Sequence, residues 1–156
     1  MIYLFDWGNT LMVDFPHAQG KMCDWEHVET IPLVKETLAT LSQNHAIYIA
    51  TSASDSNMEE IQRAFVRVDL DQYLNGYFCF ANLGIAKKQP EFYLAIAKQL
   101  GVNVSELTMV GDLPRKDIYP AMQAGVNTIW FNPHDLPAPS KPIPNQIRCL
   151  SELLRT

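Results

Sequence analysis

The chain has 156 residues, with 12 Lys+Arg against 17 Asp+Glu for a net charge of −5, and is 47% hydrophobic and 19% charged. These values exclude a disordered chain, and the length predicts one domain over 1–156, built on a single core. The acidic balance excludes reliance on a basic surface for nucleic acid or anionic lipid, and leaves small anionic substrates open.

No apolar run approaches the roughly 18 residues of a membrane span. The first residues, Met1-Ile2-Tyr3-Leu4-Phe5-Asp6, have neither a basic n-region nor a signal cleavage site, so a cytoplasmic location without a membrane partner is expected. Cys23, Cys79 and Cys149 are odd in number and far apart, which suggests reduced thiols rather than a disulfide framework or a zinc site.

Apolar runs at 2–5, 46–50, 77–80, 107–110 and 127–131 read as strands. Ile47-Tyr48-Ile49-Ala50 and Thr128-Ile129-Trp130-Phe131 are apolar at successive positions, as strands covered on both faces require. Between the runs lie helical spacings: Val34, Leu38 and Leu41; Met58, Ile61, Phe65 and Val68; Tyr93, Ile96 and Leu100. Ser56-Asn57-Met58-Glu59 predicts a capping box, and Pro90 suits a first helical turn. A fourth helix is expected over about 116–124, stopped by Gly125. Five of the ten prolines fall between Pro133 and Pro144, predicting an extended connection over 133–144 before a C-terminal helix over 145–155 that offers Ile147, Leu150 and Leu154. Strands alternating with helices make a doubly wound, Rossmann-like α/β sandwich around a parallel sheet of about five strands.

In such a sheet ligands bind beyond the carboxyl ends of the strands. Strand one ends in Asp6, strand two in Thr51-Ser52, and strand four in Gly111-Asp112, with Asp117 five residues on. Lys87 and Lys88 enter before the third long helix. Three carboxylates, a hydroxyl and an ammonium outline a site for a divalent metal and a phosphate. Each residue alone reads more simply as a cap, a turn residue or a solvated charge; together they follow strands whose ends the fold brings side by side.

These residues also carry a resemblance. Leu4-Phe5-Asp6-Trp7-Gly8-Asn9-Thr10-Leu11, Ile47-Tyr48-Ile49-Ala50-Thr51, Lys87-Lys88-Gln89-Pro90 and Gly111-Asp112-Leu113-Pro114-Arg115-Lys116-Asp117 resemble, in order, the four motifs of the haloacid dehalogenase-like hydrolase superfamily, over residues 1 to about 132. Most members are Mg²⁺-dependent phosphatases with an aspartate nucleophile. The resemblance implies attack by Asp6 on phosphorus. It implies Mg²⁺ held by Asp6, the Gly8 carbonyl and Asp112, with Asp117 as a ligand or as the residue orienting the ligands. It implies that Lys87 offsets charge, and that Thr51 and amides near Asn9 and Ser52 bind the phosphate oxygens.

The chain departs from this pattern at two neighbouring positions. Gly8 stands where the phosphatases carry the aspartate that acts as general acid and base, and Asn9 stands where they usually carry glycine. Loss of positioned proton transfer lowers rates by about 10²–10⁴-fold, most for poor leaving groups. A replacement is available among His17, His27, Asp14, Asp24 and Glu26, with the histidines preferred because imidazole titrates near neutral pH. Trp7 and Trp25 are candidates to line the pocket mouth, although Trp7 reads more simply as a packing residue. The family's dehalogenases carry a tyrosine at the position of Gly8 and use no metal, so Asp112 and Asp117 argue against that branch.

Forty residues separate Thr10 from Thr51 and six separate position 80 from Lys87. That leaves room for a flap over 12–30 but for no large cap. The expected function is a Mg²⁺-dependent phosphohydrolase, weak or specialised, acting on a phosphorylated small molecule or macromolecule. The alternatives are a catalytically impaired phosphate-binding or regulatory module, and a domain in which phosphorylated Asp6 persists as a switch. The last helix can pack internally or across a homodimer.

Overall fold

The computed structural model describes residues 1–155. Six parallel strands form one sheet: β1 (Ile2–Phe5), β2 (Ala46–Ala50), β3 (Gly76–Phe78), β4 (Leu107–Gly111), β5 (Asn127–Phe131) and β6 (Gln146–Ile147), in the order β3-β2-β1-β4-β5-β6. The helices are α1 (Val34–Leu41), α2 (Met58–Val66), α3 (Phe80–Leu83), α4 (Pro90–Leu100) and α5 (Tyr119–Ala124). This is the doubly wound α/β architecture expected from the alternation of runs. No large cap domain is present among the described residues.

Successive strand residues feed opposite faces, which is why the strands are apolar without a gap. Phe5, Ile47, Ile49 and Val110 join Leu38, Leu41, Ile61 and Phe65 of α1 and α2 on one face. Leu4, Ala50, Leu107 and Met109 join Phe92, Tyr93, Ile96 and Ala121 of α4 and α5 on the other. Each fully buried large side chain is worth about 1.5–3 kcal/mol, so both faces hold β1 firmly at the centre of the sheet.

Four boundaries differ from expectation. The capping box lies one residue later, at Asn57 and Glu60: the Asn57 side chain accepts the Glu60 N–H at 3.0 Å and the Glu60 carboxylate accepts the Asn57 N–H at 2.9 Å. Ser56 is instead buried and donates to Asp55. The third strand covers 76–78 rather than 77–80, because Cys79 opens α3. The C-terminal helix is absent as such: 146–147 pair with β5 as the sheet's sixth strand, and only Leu150–Leu154 coil, as a 3₁₀ helix. Prolines 142 and 144 keep the approach extended, so the Trp130 and Asn132 amides donate to the Asn145 and Ile147 carbonyls. Leu150 and Leu153, rather than Leu154, then fill the core beside α1. The 116–124 helix begins as a π-helical turn over Pro114–Ile118, continues as α5 and stops at Gly125, whose φ is +91°.

Candidate active site

The register of the central strand assembles the site. Phe5 pairs with Ile49 on one side and Val110 on the other, so Asp6 emerges level with Ala50 and Gly111, and Thr51 and Asp112 follow one residue beyond. Asp6 extends β1 by donating its N–H to the Val110 carbonyl at 2.9 Å, and Thr51 extends β2 by donating to the Phe78 carbonyl at 3.0 Å. Gly111 closes β4 and Asp112 follows it. Lys87 reaches the same point from the turn before α4.

At that point the side chains interlock. The Lys87 ammonium, whose side chain is fully buried, donates to Asp6 Oδ1 at 2.8 Å and lies 2.6 Å from Asp117 Oδ1. The latter contact is too oblique for a hydrogen bond, so Asp117 Oδ1 is buried with no donor aligned on it. Asp117 Oδ2 accepts the Leu113 N–H at 2.9 Å. The Thr10 hydroxyl stands between Asp6 Oδ2 at 3.1 Å and Asp112 Oδ1 at 3.2 Å, with one proton to offer two carboxylates. Gly111 is required beneath this arrangement, since a Cβ there would lie 2.5 Å from Asp117 Cβ and closer still to its carboxylate.

The electrostatics show a surplus of negative charge. Burial, then the neighbouring Asp6 and Asp117 carboxylates, push Asp112 up to about 8. Burial and Asp6 push Asp117 up to about 6, although Lys87 opposes the shift. Burial pulls Lys87 down, but Asp117 and Asp6 outweigh it and hold its ammonium charged above its ordinary value. One ammonium against three carboxylates leaves room for further positive charge. Oxygens of Asp6, Asp112 and Asp117 lie within 4.8 Å of one another. An all-carboxylate donor set with a single ammonium among three acids fits a hard divalent cation such as Mg²⁺.

A cavity of about 440 Å³ opens above Asp6, lined also by Gly8, Thr51, Ser52, Trp25 and Lys116. The Thr51 hydroxyl oxygen accepts the Ala53 N–H at 3.1 Å, which leaves its own proton free to donate. Asn9 lies in the left-handed region, with φ +61°, a conformation asparagine tolerates. Its amide N–H is engaged by the Met12 carbonyl, and its side-chain oxygen accepts the Asp14 N–H at 3.0 Å. A second cavity, of about 520 Å³, adjoins Asn9 and Asp112.

His17 and His27, the preferred replacement bases, do not line the Asp6 cavity. They line a separate cavity on the flap with Phe15, Asp24 and Glu26. Trp7 is buried against Phe65, while Trp25 borders the Asp6 cavity. Sequence reasoning missed the bridging role of Thr10 and the place of Lys116 on the cavity wall. Both sit next to residues that were singled out, Asn9 and Asp117, and adjacency was the available signal. The tilt of the π-helical turn is fixed by the Tyr93 hydroxyl, which donates to the Lys116 carbonyl at 2.8 Å. The Trp130 indole N–H likewise holds the Asp112 carbonyl at 3.1 Å.

A family profile described as haloacid dehalogenase-like hydrolase matches residues 9–131. The chain belongs to this family. Among curated proteins, this haloacid dehalogenase-like hydrolase is 31% identical over 134 residues to (S)-2-haloacid dehalogenase 4A of Burkholderia cepacia, covering 85% of this chain and 57% of that protein. It is 27% identical over 105 residues to glyceraldehyde 3-phosphate phosphatase of Pyrococcus furiosus, covering 67% and 43%. The chain thus spans about half the length of the curated relatives it matches. In fold it resembles the crystal structure of an uncharacterized protein from Listeria monocytogenes serotype 4b, with a TM-score of 0.79 at 20% identity, covering 97% of this chain and 93% of that one.

Proposed function

We propose that this family member is a Mg²⁺-dependent phosphohydrolase that transfers a phosphoryl group to Asp6. The observation that carries the reading is the Asp6 carboxylate itself. One oxygen is pinned to Lys87 at 2.8 Å and the other faces the Thr10 hydroxyl at 3.1 Å, with Asp112 and Asp117 alongside and a cavity above. A carboxylate so oriented is prepared to attack in line.

Mg²⁺, held by Asp6, Asp112 and Asp117, would neutralise charge between the attacking carboxylate and the phosphate. Lys87 pairs with Asp6 at 2.8 Å and offsets charge on the transferred group. Thr51, with its hydroxyl proton free, and Ser52 donate to phosphate oxygens. Lys116 is placed to attract the dianion into the cavity. The names of the phosphatase relatives support this class of reaction, and the carboxylate cluster favours it over the dehalogenation named for another relative, since a site without a metal has little need of Asp112 and Asp117. Among the described residues no helix is long and apolar enough to cross a membrane. A phosphorylated small molecule fits the 440 Å³ cavity.

The test is phosphate release from p-nitrophenyl phosphate. Turnover should require Mg²⁺, vanish with EDTA, and fall at least about 10³-fold in Asp6→Asn. Turnover that survives Asp6→Asn contradicts the reading.

A further inference from the structure

Position 8 lacks the carboxylate that the reaction proposed above needs for proton transfer, yet the space beside it is not vacant. A Cβ built on Gly8 would meet the Asp14 side chain, with Cβ at 3.3 Å, Oδ2 at 3.5 Å and Cγ at 3.6 Å. Asp14 lines the same cavity as Asp6, Thr51 and Ser52. Its backbone is brought there by the other unusual residue of the motif: Asn9, turned into the left-handed region, accepts the Asp14 N–H at 3.0 Å. Both departures from the family pattern therefore bear on Asp14. Gly8 clears the space and Asn9 ties down the chain that fills it.

We propose that Asp14 is the catalytic acid and base of this site, supplying from the flap the carboxylate that residue 8 lacks. The inference rests on the aspartyl-phosphate reading. In the first half-reaction Asp6 bonds to phosphorus as the bond from phosphorus to the leaving oxygen breaks, and protonated Asp14 gives that oxygen its proton, releasing an alcohol. In the second, the Asp14 carboxylate takes a proton from water as the water oxygen bonds to phosphorus. The bond from phosphorus to Asp6 then breaks, phosphate leaves, and both side chains return to their starting states.

The other acids and bases of the flap are less well placed. His17 and His27 line the separate cavity with Asp24 and Glu26, and His27 stands 3.4 Å from Glu29. The remaining carboxylate on the wall of the Asp6 cavity, Asp55, accepts the Ser56 hydroxyl at 3.1 Å, and the three atoms nearest a Cβ on Gly8 all belong to Asp14.

The test compares the parent chain, Asp14→Asn and Asp55→Asn with Mg²⁺ on two probes, p-nitrophenyl phosphate and glycerol 3-phosphate, and follows phosphorylated Asp6 by mass spectrometry after mixing with acetyl phosphate. Asp14 is exposed, so its amide variant keeps the fold, which a thermal melt verifies. In Asp14→Asn, kcat/KM should fall about 10²-fold or more for the alkyl phosphate and less than about fivefold for the aryl phosphate. Phosphorylated Asp6 should accumulate, because its hydrolysis has lost the base. Asp55→Asn should behave as the parent chain. The double change Gly8→Asp with Asp14→Gly should recover alkyl phosphate hydrolysis by returning the carboxylate to residue 8. Equal losses on both probes without accumulation, or the selective loss appearing in Asp55→Asn, overturns the assignment of Asp14 while the aspartyl-phosphate reading stands. Absence of phosphorylated Asp6 from every variant and the parent chain removes both.

Discussion

Gly111→Ala tests whether the site is built as described. Gly111 ends β4 directly beneath Asp117, and an added Cβ would stand 2.5 Å from Asp117 Cβ. No real pair of carbons tolerates that distance, so either β4 or Asp117 must move. Asp117 is fully buried and held by the Leu113 N–H at 2.9 Å and the Lys87 ammonium at 2.6 Å, so its displacement sacrifices both. Overpacking costs about 1–3 kcal/mol, and losing a hydrogen bond to a charged group costs about 1.5–3 kcal/mol. The lower entropy of the unfolded alanine chain returns about 0.4–1 kcal/mol. The net loss is about 1.5–5.5 kcal/mol, which for a chain of this size lowers Tm by roughly 3–22 °C. Urea melts give the free energy, and Tm with and without 10 mM MgCl₂ reports the metal site; the Mg²⁺-dependent rise should shrink along with the stability. A variant within about 0.5 kcal/mol of the parent, with its Mg²⁺ response unchanged, would refute the placement of Asp117 over Gly111.

Other outcomes follow from the same charges. Lys87→Met removes the one ammonium from a buried cluster of three carboxylates and should cost about 3–5 kcal/mol in urea melts at pH 8. The loss should be smaller at pH 5, where Asp112 and Asp117 are protonated; a loss independent of pH contradicts the cluster. Asp112 and Asp117 have native values raised to about 8 and about 6, above those of the unfolded chain. The stability they contribute is therefore fully present below about pH 4 and is lost as pH rises through 6 and 8. The metal-free protein should lose Tm between pH 6 and pH 8, and Mg²⁺, which competes with these protons, should raise Tm more at pH 8 than at pH 6. An equal or larger Mg²⁺ effect at pH 6 would contradict this.

What was legible in the sequence was whatever depends on alternation and strand ends. Leu4-Phe5 and Met109-Val110 are apolar on consecutive positions because helices cover both faces of the sheet. Asp6, Thr51 and Asp112 stand where parallel strands stop, so one topological argument places all three. Structure formed by pairing rather than by periodicity was not legible. The spacing of Ile147, Leu150 and Leu154 suits a helix, yet the β5 edge offered Gln146 and Ile147 a ladder, and the prolines before them had already extended the chain. The capping box slipped by one residue because Ser56, Asn57 and Asp55 are all competent caps, and burial of Ser56 decides among them. Asp14 was one of five candidates after strand one and the histidines looked better on chemistry alone. Its advantage lies in the left-handed Asn9 turn and the Asn9–Asp14 hydrogen bond, which no local pattern announces.

The central claim is that Asp6 receives a phosphoryl group, and the most direct measurement is to mix the chain with Mg²⁺ and acetyl phosphate, quench in acid, and locate added phosphate by peptide mass spectrometry. The account predicts one phosphoryl group on Asp6, lost on omission of Mg²⁺ and absent from Asp6→Asn. A chain that gains no phosphoryl group, or gains it elsewhere with Asp6 unmodified, would contradict it.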